Sequence, residues 1–327
     1  MSARTISAGL AMAAAAIAVA APGAVANIVT PIPVTLVFDG PTDAGFEALA
    51  IKGAKAAQRT GSATYRVARP STEGPDPALL DQAVAQGSAL VIAVGFQWAD
   101  YVVAAAKRHP GTDFAIVDGS ASIAGSAALP NVRGILFREG QAGRLAGYLA
   151  ALTAKSAGRA PVLAAVGGMN IPPVQRYIAG FRSGARAADP GARVIVRYSG
   201  SFLQGVGCER IARRMVEQGA YTVFSVAGAC GDEAMRASGA AGRTAIGVDL
   251  DQSAMGRYVL TSAIKRLDTA VTDTILDRAA GRFTGGDVRY GLAQDGVGLG
   301  RISPDVPTAV RVKVKQLARR MGAPAHG

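Results

Sequence analysis

Six short apolar runs along the chain each end directly before a small cluster of Gly, Asp or Phe. They are Val34–Phe38 before Asp39, Leu90–Val94 before Gly95 and Phe96, Phe114–Val117 before Asp118, Val162–Val166 before Gly167 and Gly168, Thr222–Val226 before Gly228, and Ala245–Val248 before Asp249. Runs that are apolar throughout are typical of strands covered on both faces. Because the carboxyl ends of parallel strands form the ligand crevice of an open α/β sheet, the pattern predicts a binding site at these ends.

Amphipathic stretches alternate with the apolar runs. Their apolar positions recur every three or four residues, which is typical of helices packed on a sheet. The stretches are Asp43–Thr60, Pro77–Gln86, Gln97–Arg108, Glu139–Lys155, Pro173–Ala188, Cys208–Glu217, Asp232–Ala240, Leu267–Ala280 and Asp305–Met321. The alternation predicts a doubly wound α/β fold.

The length of 327 residues favours two cores rather than one. The alternation is interrupted near Pro130-Asn131, Asp249–Met255 and Phe283–Arg289, where the chain can pass from one lobe to the other. We therefore predict lobe 1 from residues 27–135 plus 252–288 and lobe 2 from residues 136–251 plus 289–327. Several crossing strands would then form a hinge between the lobes.

The first 26 residues have the pattern of a signal peptide. Arg4 precedes the uncharged apolar stretch Ala8–Ala21, and Ala24–Ala26 has the small-x-small form that signal peptidase accepts. A membrane anchor is disfavoured, because the apolar stretch is shorter than the roughly 20 residues of a spanning helix and Pro22-Gly23 breaks it. We predict cleavage near Ala26 and a periplasmic protein.

The charge balance is strongly basic, with 35 Lys and Arg against 23 Asp and Glu and a net charge of +12. Such a balance is compatible with a nucleic acid, an anionic membrane face or an acidic ligand. The basic residues are dispersed along the amphipathic stretches, without the interleaved aromatic residues on which single strands stack. We therefore expect solvated helix faces and no nucleic-acid partner.

The two cysteines, Cys208 and Cys230, would meet an oxidising compartment after export. Both follow strands that are consecutive in the chain, and consecutive strands are usually neighbours. We therefore predict a disulfide between them. A zinc site is disfavoured, because His109 and His326 lie in a turn and in the terminal tail, and we expect neither metal nor cofactor.

The motifs of common catalytic sites are missing from the sequence. It has no Gly-x-Ser-x-Gly elbow and no Gly-Lys dipeptide, and Gly205-Val206-Gly207 lacks the third glycine of the dinucleotide fingerprint. Asp118, Asp249 and Asp251 can flank a scissile bond as paired carboxylates. They can equally accept hydrogen bonds from a ligand or cap a helix, and the sequence leaves these alternatives open.

Several longer motifs resemble one known family. They are Val166–Val174 (VGGMNIPPV), Gly180–Ala185 (GFRSGA), Gly247–Gln252 (GVDLDQ) and Leu260–Lys265 (LTSAIK), with Phe137-Arg138-Glu139, Leu145–Ala150 and Pro110–Phe114 in support. Together they are similar to the basic membrane protein family, the purine nucleoside receptor A-like group of ABC-transporter substrate-binding proteins. The resemblance extends over nearly all of the mature chain.

The resemblance implies a type I periplasmic-binding fold whose two lobes close over a ligand. It also implies a purine nucleoside or base as that ligand, an ABC permease of the inner membrane as the partner, and no enzymatic activity. By motif, Phe46 and Phe202 are the family's aromatic pair, and Lys265 is its lysine after Thr-Ser. The remaining expected ligand-binding residues are Asp43, Phe96, Asp118, Met169, Gly228 and Asp249.

Two other functions stay open at this point. One is an exported nucleoside hydrolase with Asp118 and Asp249 as catalytic acids, and stoichiometric binding without turnover would exclude it. The other is a ligand-sensing partner of a membrane receptor with the same fold, which a neighbouring permease gene would disfavour. Phe46 and Phe202 also have an alternative role as core residues, although their positions after strands favour a ligand contact.

Overall fold

The computed structural model describes residues 30–40, 45–123, 127–205 and 207–322. The predicted signal peptide, Asp43 and His326 lie outside the described residues. Within the described parts of the chain, the strands form two six-stranded sheets. The predicted α/β class with two doubly wound lobes is therefore confirmed.

The strands are numbered along the chain. They are β1 (Ile32–Val37), β2 (Ala63–Ala68), β3 (Leu90–Val94), β4 (Asp113–Val117), β5 (Val132–Phe137), β6 (Val162–Gly167), β7 (Arg193–Tyr198), β8 (Thr222–Val226), β9 (Thr244–Asp249), β10 (Val259–Lys265), β11 (Gly286–Tyr290) and β12 (Val297–Leu299). The first sheet has the order β11-β5-β4-β3-β1-β2, and the second has the order β12-β10-β9-β8-β6-β7. Neighbouring strands are parallel except for β12, which runs antiparallel to β10.

The helices cover both faces of the sheets. They are α1 (Gly45–Arg59), α2 (Ala78–Ala85), α3 (Ala99–Arg108), α4 (Glu139–Ser156), α5 (Pro172–Ala188), α6 (Cys208–Glu217), α7 (Gly228–Ala240), α8 (Leu267–Ala279) and α9 (Thr308–Arg320). Most ends lie within two or three residues of the predicted ones, but α7 begins at Gly228, four residues earlier than the predicted Asp232. No helix in the described parts of the chain is long and apolar enough to span a bilayer.

The central strands are buried because helices cover them on both sides. All residues of β3 and β8 are buried, whereas β2 and β7 lie at sheet edges and consist mostly of exposed and partly buried residues. The apolar runs therefore predict the central strands well. The edge strands carry a weaker signal, since one of their faces meets water.

The chain passes between the lobes directly after β5, after β10 and after β11. The predicted boundaries differ from this arrangement, since residues 252–288 were expected in lobe 1. Strand β10 instead pairs with β9 in the second sheet, and the whole of β11 pairs with β5 in the first. The physical reason is that every residue of β10 is buried, and an apolar run of this kind fits the interior of either sheet, so the sequence did not indicate which sheet contains it.

Backbone hydrogen bonds tie the three crossings together. The amide of Arg138 donates to the carbonyl of Tyr290 at 2.9 Å, and that of Arg266 donates to the carbonyl of Gly296 at 2.9 Å. The amide of Leu292 also donates to the side-chain Oε1 of Gln141 at 2.8 Å. Side chains at the ends of β5 and β10 are thereby held close to one another between the two sheets.

Helices α4 and α5 pack through glycines. A Cβ at Gly147 would collide with the carbonyl group of Phe181, and one at Gly184 would collide with the carbonyl of Arg144. A Cβ at Gly143 would meet the carbonyl of Tyr177 in the same way. This close approach fixes the first turn of α5 beside the start of α4, where the charged residues described below lie.

Candidate functional site

A buried lysine lies where the second crossing leaves the second sheet. Lys265 is the last residue of β10, and its side chain is 2% exposed. Its ammonium donates to both carboxylate oxygens of Asp118, at 2.9 and 2.8 Å, and lies 3.3 Å from a carboxylate oxygen of Glu139. Asp118 follows β4 of the first sheet, so this ion pair joins the two lobes.

Asp118 and Asp249 occupy equivalent places in the two lobes. Strand β4 is third in the order of the first sheet and β9 is third in that of the second, and the two aspartates lie at the carboxyl ends of these strands. Both have left-handed backbone conformations, with φ of 63° and 64°. Asp tolerates this conformation better than most residues, and such positions occur often at functional sites.

Asp249 has few hydrogen bonds from the protein. Among the described residues, the Tyr177 hydroxyl donates to its Oδ1 at 3.3 Å. Burial raises the pKa of Asp249 to about 6, while Lys265 opposes this shift and Asp118 adds to it. The carboxylate therefore has unused acceptor capacity, and its charge changes within the physiological range.

The charges around Lys265 are predominantly acidic. Burial alone would lower the pKa of the Lys265 ammonium, but Asp118, Glu139 and Asp249 outweigh burial and raise it. Glu139 is fully buried and also accepts from Arg176 at 2.6 Å. The cluster thus combines three carboxylates with two cations, which leaves an excess of hydrogen-bond acceptors.

Aromatic rings surround the lysine. Its ammonium lies 5.2 Å from the ring centre of Phe46, 5.0 Å from that of Phe137 and 5.9 Å from that of Tyr177. Phe46 is half-buried in the first turn of α1. The structure therefore brings Phe46, Asp118 and Lys265 together, as members of one cluster with Asp249.

Phe202 lies on the second lobe, in the loop after β7. Its ring packs so closely on Gly168 that a Cβ there would collide with it, and its own Cβ lies 3.2 Å from the Cβ position of Gly228. Gly228 opens α7 with φ of 55°, so this expected ligand-binding residue lies at the start of that helix. Phe202 is half-buried, and one part of it faces outward.

The remaining predicted residues lie near strand ends. Phe96 is in a short 3₁₀ turn after β3, and Met169 is in the loop after β6. Both are partly exposed. Trp98, in the same turn as Phe96, is fully buried.

A cavity of about 380 Å³ opens beside Asp249 and Lys265. Its walls come from α1 of the first lobe and from the ends of β9, β10 and β12 of the second. The lining residues are Leu49, Lys52, Asp249, Leu250, Asp251, Ile264, Lys265, Arg266, Asp268, Leu299, Gly300 and Arg301. The volume is within the range of small-molecule sites.

Sequence reasoning missed three residues of the cluster, namely Glu139, Arg176 and Tyr177. Glu139 belongs to the motif Phe137-Arg138-Glu139, so the sequence carries a signal for this residue. It carries no signal that the side chain is buried. Tyr177 lies on the buried face of an amphipathic stretch and Arg176 is partly exposed beside it, and nothing in the sequence marks either as a polar partner. Their role follows from the packing of α5 on α4.

The structure joins Cys208 to Cys230 in a disulfide, with the two Cα atoms 5.5 Å apart. The reasoning that β7 and β8 are neighbours is wrong, however, because β6 lies between them. The cysteines meet because α6 and α7 pack side by side on one face of the second sheet. Both are fully buried in a core cluster with Ala212 and Met215.

A family comparison identifies the protein family. The family model of the PnrA-like ABC transporter substrate-binding proteins matches residues 33–320. The chain belongs to this family. The predicted resemblance is thus confirmed, and the family is one of proteins that bind substrates for ABC transporters.

Two relatives are about 30% identical to this chain over the aligned residues. A CD4+ T-cell-stimulating antigen of Listeria monocytogenes is 29% identical over 279 residues, which are 80% of this chain and 76% of that protein. The ABC transporter nucleoside-binding protein BmpA of Lactococcus lactis is 31% identical over 234 residues, 66% of this chain and 64% of that protein.

Solved structures support the same fold. A solute-binding protein of an ABC transporter system from Aeropyrum pernix superposes with a TM-score of 0.76 at 24% identity, covering 89% of this chain and 91% of that one. A second such protein, from Conexibacter woesei, gives 0.69 at 25% identity over 89% and 96% of the two chains. The periplasmic-binding fold that the resemblance implied is therefore confirmed.

Proposed function

We propose that this substrate-binding protein takes up a purine nucleoside or a related small heteroaromatic molecule between its lobes and delivers it to an ABC permease of the inner membrane. The observation that carries the proposal is the arrangement of Asp118 and Asp249 at equivalent strand ends of the two lobes, with Lys265 between them. A ligand held by both aspartates would touch both lobes at once.

The chemistry of the cluster fits hydroxyl and ring N–H groups. An ionised carboxylate is an acceptor only, and it forms strong bonds to such donors. Lys265 supplies a donor for a hydroxyl or a ring acceptor. Since carboxylates outnumber cations in the Lys265 cluster, a phosphate placed beside Asp118 and Asp249 would meet repulsion, and we expect the neutral nucleoside or base to be preferred.

Two aromatic rings offer flat faces to the base. Phe46 belongs to the first lobe and Phe202 to the second, so both rings can cover a base only when the lobes close. A stacked base is worth about 1–3 kcal/mol per aromatic face in nucleic-acid systems. Binding would therefore favour the closed state over an open state a few kcal/mol away.

The name of one relative agrees with this ligand class. The Lactococcus lactis protein is named an ABC transporter nucleoside-binding protein, and it is 31% identical to this chain over 234 residues. For this chain the nucleoside is a proposal. It rests on the residues above and on that relative.

We also propose that the protein works outside the cytoplasm after cleavage near Ala26, based on the pattern of residues 1–26. Two relatives from Pyrococcus are named lipoproteins. Intact-mass measurement of exported protein tests the proposal, since a mature chain starting near Asn27 is expected. Retention of residues 1–26 in a membrane fraction would contradict it.

The ligand is tested by a thermal-shift screen of nucleosides, free bases and sugars, followed by calorimetry. A true ligand at 100 times its dissociation constant should stabilise the protein by about 2.7 kcal/mol. Stoichiometric binding without turnover would also exclude the hydrolase alternative. Stabilisation by an aliphatic sugar alone, with no response to any nucleoside or base, would refute the proposed ligand.

A further inference from the structure

The loop that carries Phe202 is held to α7 at three points, namely two hydrogen bonds and the disulfide. The amide of Cys230 donates to the carbonyl of Phe202 at 3.1 Å. The amide of Gly205 donates to the carboxylate of Glu233, one turn further along α7, at 2.8 Å. The third connection is the bond between Cys208 and Cys230 itself.

Cys230 therefore holds both ends of one short segment. Its amide donates to the carbonyl of Phe202, and its sulfur is bonded to Cys208, which lies six residues after Phe202 in the chain. Gly228, two residues before Cys230, packs against the Cβ of Phe202. The position of the ring is thus coupled to the first turn of α7, through contacts on both sides of that turn.

The start of the loop is also fixed, because the amides of Ser199 and Gly200 donate to the carbonyls of Gly167 and Gly168 at 2.9 and 3.1 Å, but the part that follows has few such bonds. Gly200 and Gly205 have positive φ angles of 82° and 79°, and Leu203 is 48% exposed. Glycines and exposed apolar side chains do not restrict a backbone, so a segment of this composition is flexible unless its ends are tied. Beyond Gly200, the disulfide, the amide of Cys230 and the carboxylate of Glu233 supply those ties.

We propose that the Cys208–Cys230 disulfide is a positioning element for ligand recognition, which holds Phe202 in place to stack on the aromatic part of the ligand. This inference rests on the proposed function, in which Phe202 covers one face of the base. Loss of the bond removes one of the three connections, so the loop should become more mobile while the second sheet stays intact. The protein would keep its contacts to hydroxyl groups through Asp249 and Lys265 and lose part of its preference for a ring.

The test compares the parent with the double variant Cys208→Ala/Cys230→Ala. We expect nucleoside affinity to fall about tenfold, as partial loss of one stacked face implies, and affinity for the matching methyl riboside, which lacks the base, to change less than twofold. Met215→Ala is the matched control, because Met215 is buried in the same core cluster. It should lower the melting temperature but leave the ratio of nucleoside to riboside affinity unchanged.

A second measurement does not depend on the ligand. Hydrogen exchange should show faster exchange of the amides in residues 203–205 and at Cys230 in the double variant, and unchanged exchange there in Met215→Ala. Exchange that stays as slow as in the parent, or a nucleoside-to-riboside ratio that stays the same, would overturn the inference. If the parent binds no nucleoside or base, the proposed function fails, and the exchange experiment still decides whether the bond holds the loop.

Parent protein refolded in the presence of a dithiol covers the case in which the double variant does not accumulate. Each protein disulfide then gives two thiols while one dithiol is oxidised to its cyclic disulfide, so the exchange is balanced. The same changes in affinity ratio and hydrogen exchange are expected. A reduced protein indistinguishable from the oxidised one in both would again overturn the inference.

Discussion

Replacing Asp249 by Asn should raise stability and weaken binding at the same time. Asn is the suitable substitution because it keeps the shape of the side chain and tolerates the left-handed backbone, with φ of 64°, in which Ala would be strained. The substitution therefore removes the charge with little change in backbone or volume. Its two effects have opposite signs, which makes the prediction sharp.

The stability effect follows from the raised pKa. A carboxyl whose pKa rises from 3.8 to about 6 on folding binds its proton more tightly in the folded state, so ionisation above pH 6 destabilises that state. The shift corresponds to about 3 kcal/mol as an upper limit, and partial exposure reduces this to about 1–2 kcal/mol. Asp249→Asn should gain this amount near pH 8 and lose the gain as the pH falls from about 6 towards 4.

The binding effect follows from the lost charge. A hydrogen bond to a charged group contributes about 1.5–3 kcal/mol, so the nucleoside affinity of Asp249→Asn should fall about tenfold to a hundredfold. In the parent, affinity should rise about tenfold between pH 5 and pH 7 as the carboxylate ionises. The variant should lose this dependence on pH.

Denaturant unfolding and calorimetry at several pH values measure both effects. Asp81→Asn is the control, since Asp81 is half-exposed on α2 and its hydrogen bond from Arg108 lowers its pKa. That variant should be slightly less stable than the parent and bind normally. A less stable Asp249→Asn with parental affinity would refute the reasoning and show that the carboxylate serves the fold.

Three further predictions concern packing, stacking and the cysteines. Gly147→Ala should lower the free energy of unfolding by about 1–3 kcal/mol, because the new Cβ collides with α5. Gly140→Ala is the control and should be neutral or stabilising, because its Cβ meets its nearest neighbour at 3.4 Å. Equal effects of the two variants in denaturant unfolding would contradict this packing. Phe46→Leu or Phe202→Leu should weaken nucleoside binding about fivefold or more and reduce the ligand-induced contraction measured by small-angle scattering. Unchanged affinity and contraction would indicate that the two rings are core residues. Thiol titration of unreduced, denatured protein should find no free thiol, whereas two per chain would exclude the disulfide, whose separation of 22 residues predicts about 3 kcal/mol of stabilisation.

The sequence by itself predicted the fold class because the relevant signals are local. The apolar runs of the central strands and the three- and four-residue spacing of the helices record which faces are covered. Residues at strand ends could be chosen in the same way, because all parallel strands present their carboxyl ends at one edge. Asp118 and Asp249 were found on that basis, and the motif after Leu260 added Lys265.

The tertiary structure decided what these residues touch. The ion pair of Lys265 with Asp118 joins residues 147 positions apart, and no periodicity in the sequence records that distance. The hydrogen bond from Tyr177 to Asp249 and the burial of Glu139 likewise depend on how α5 packs on α4. The lobe boundaries also required the structure, because a central strand such as β10 has the same apolar pattern in either sheet. Hydrophobic patterns report that a segment is buried, and only the three-dimensional packing determines against which partner.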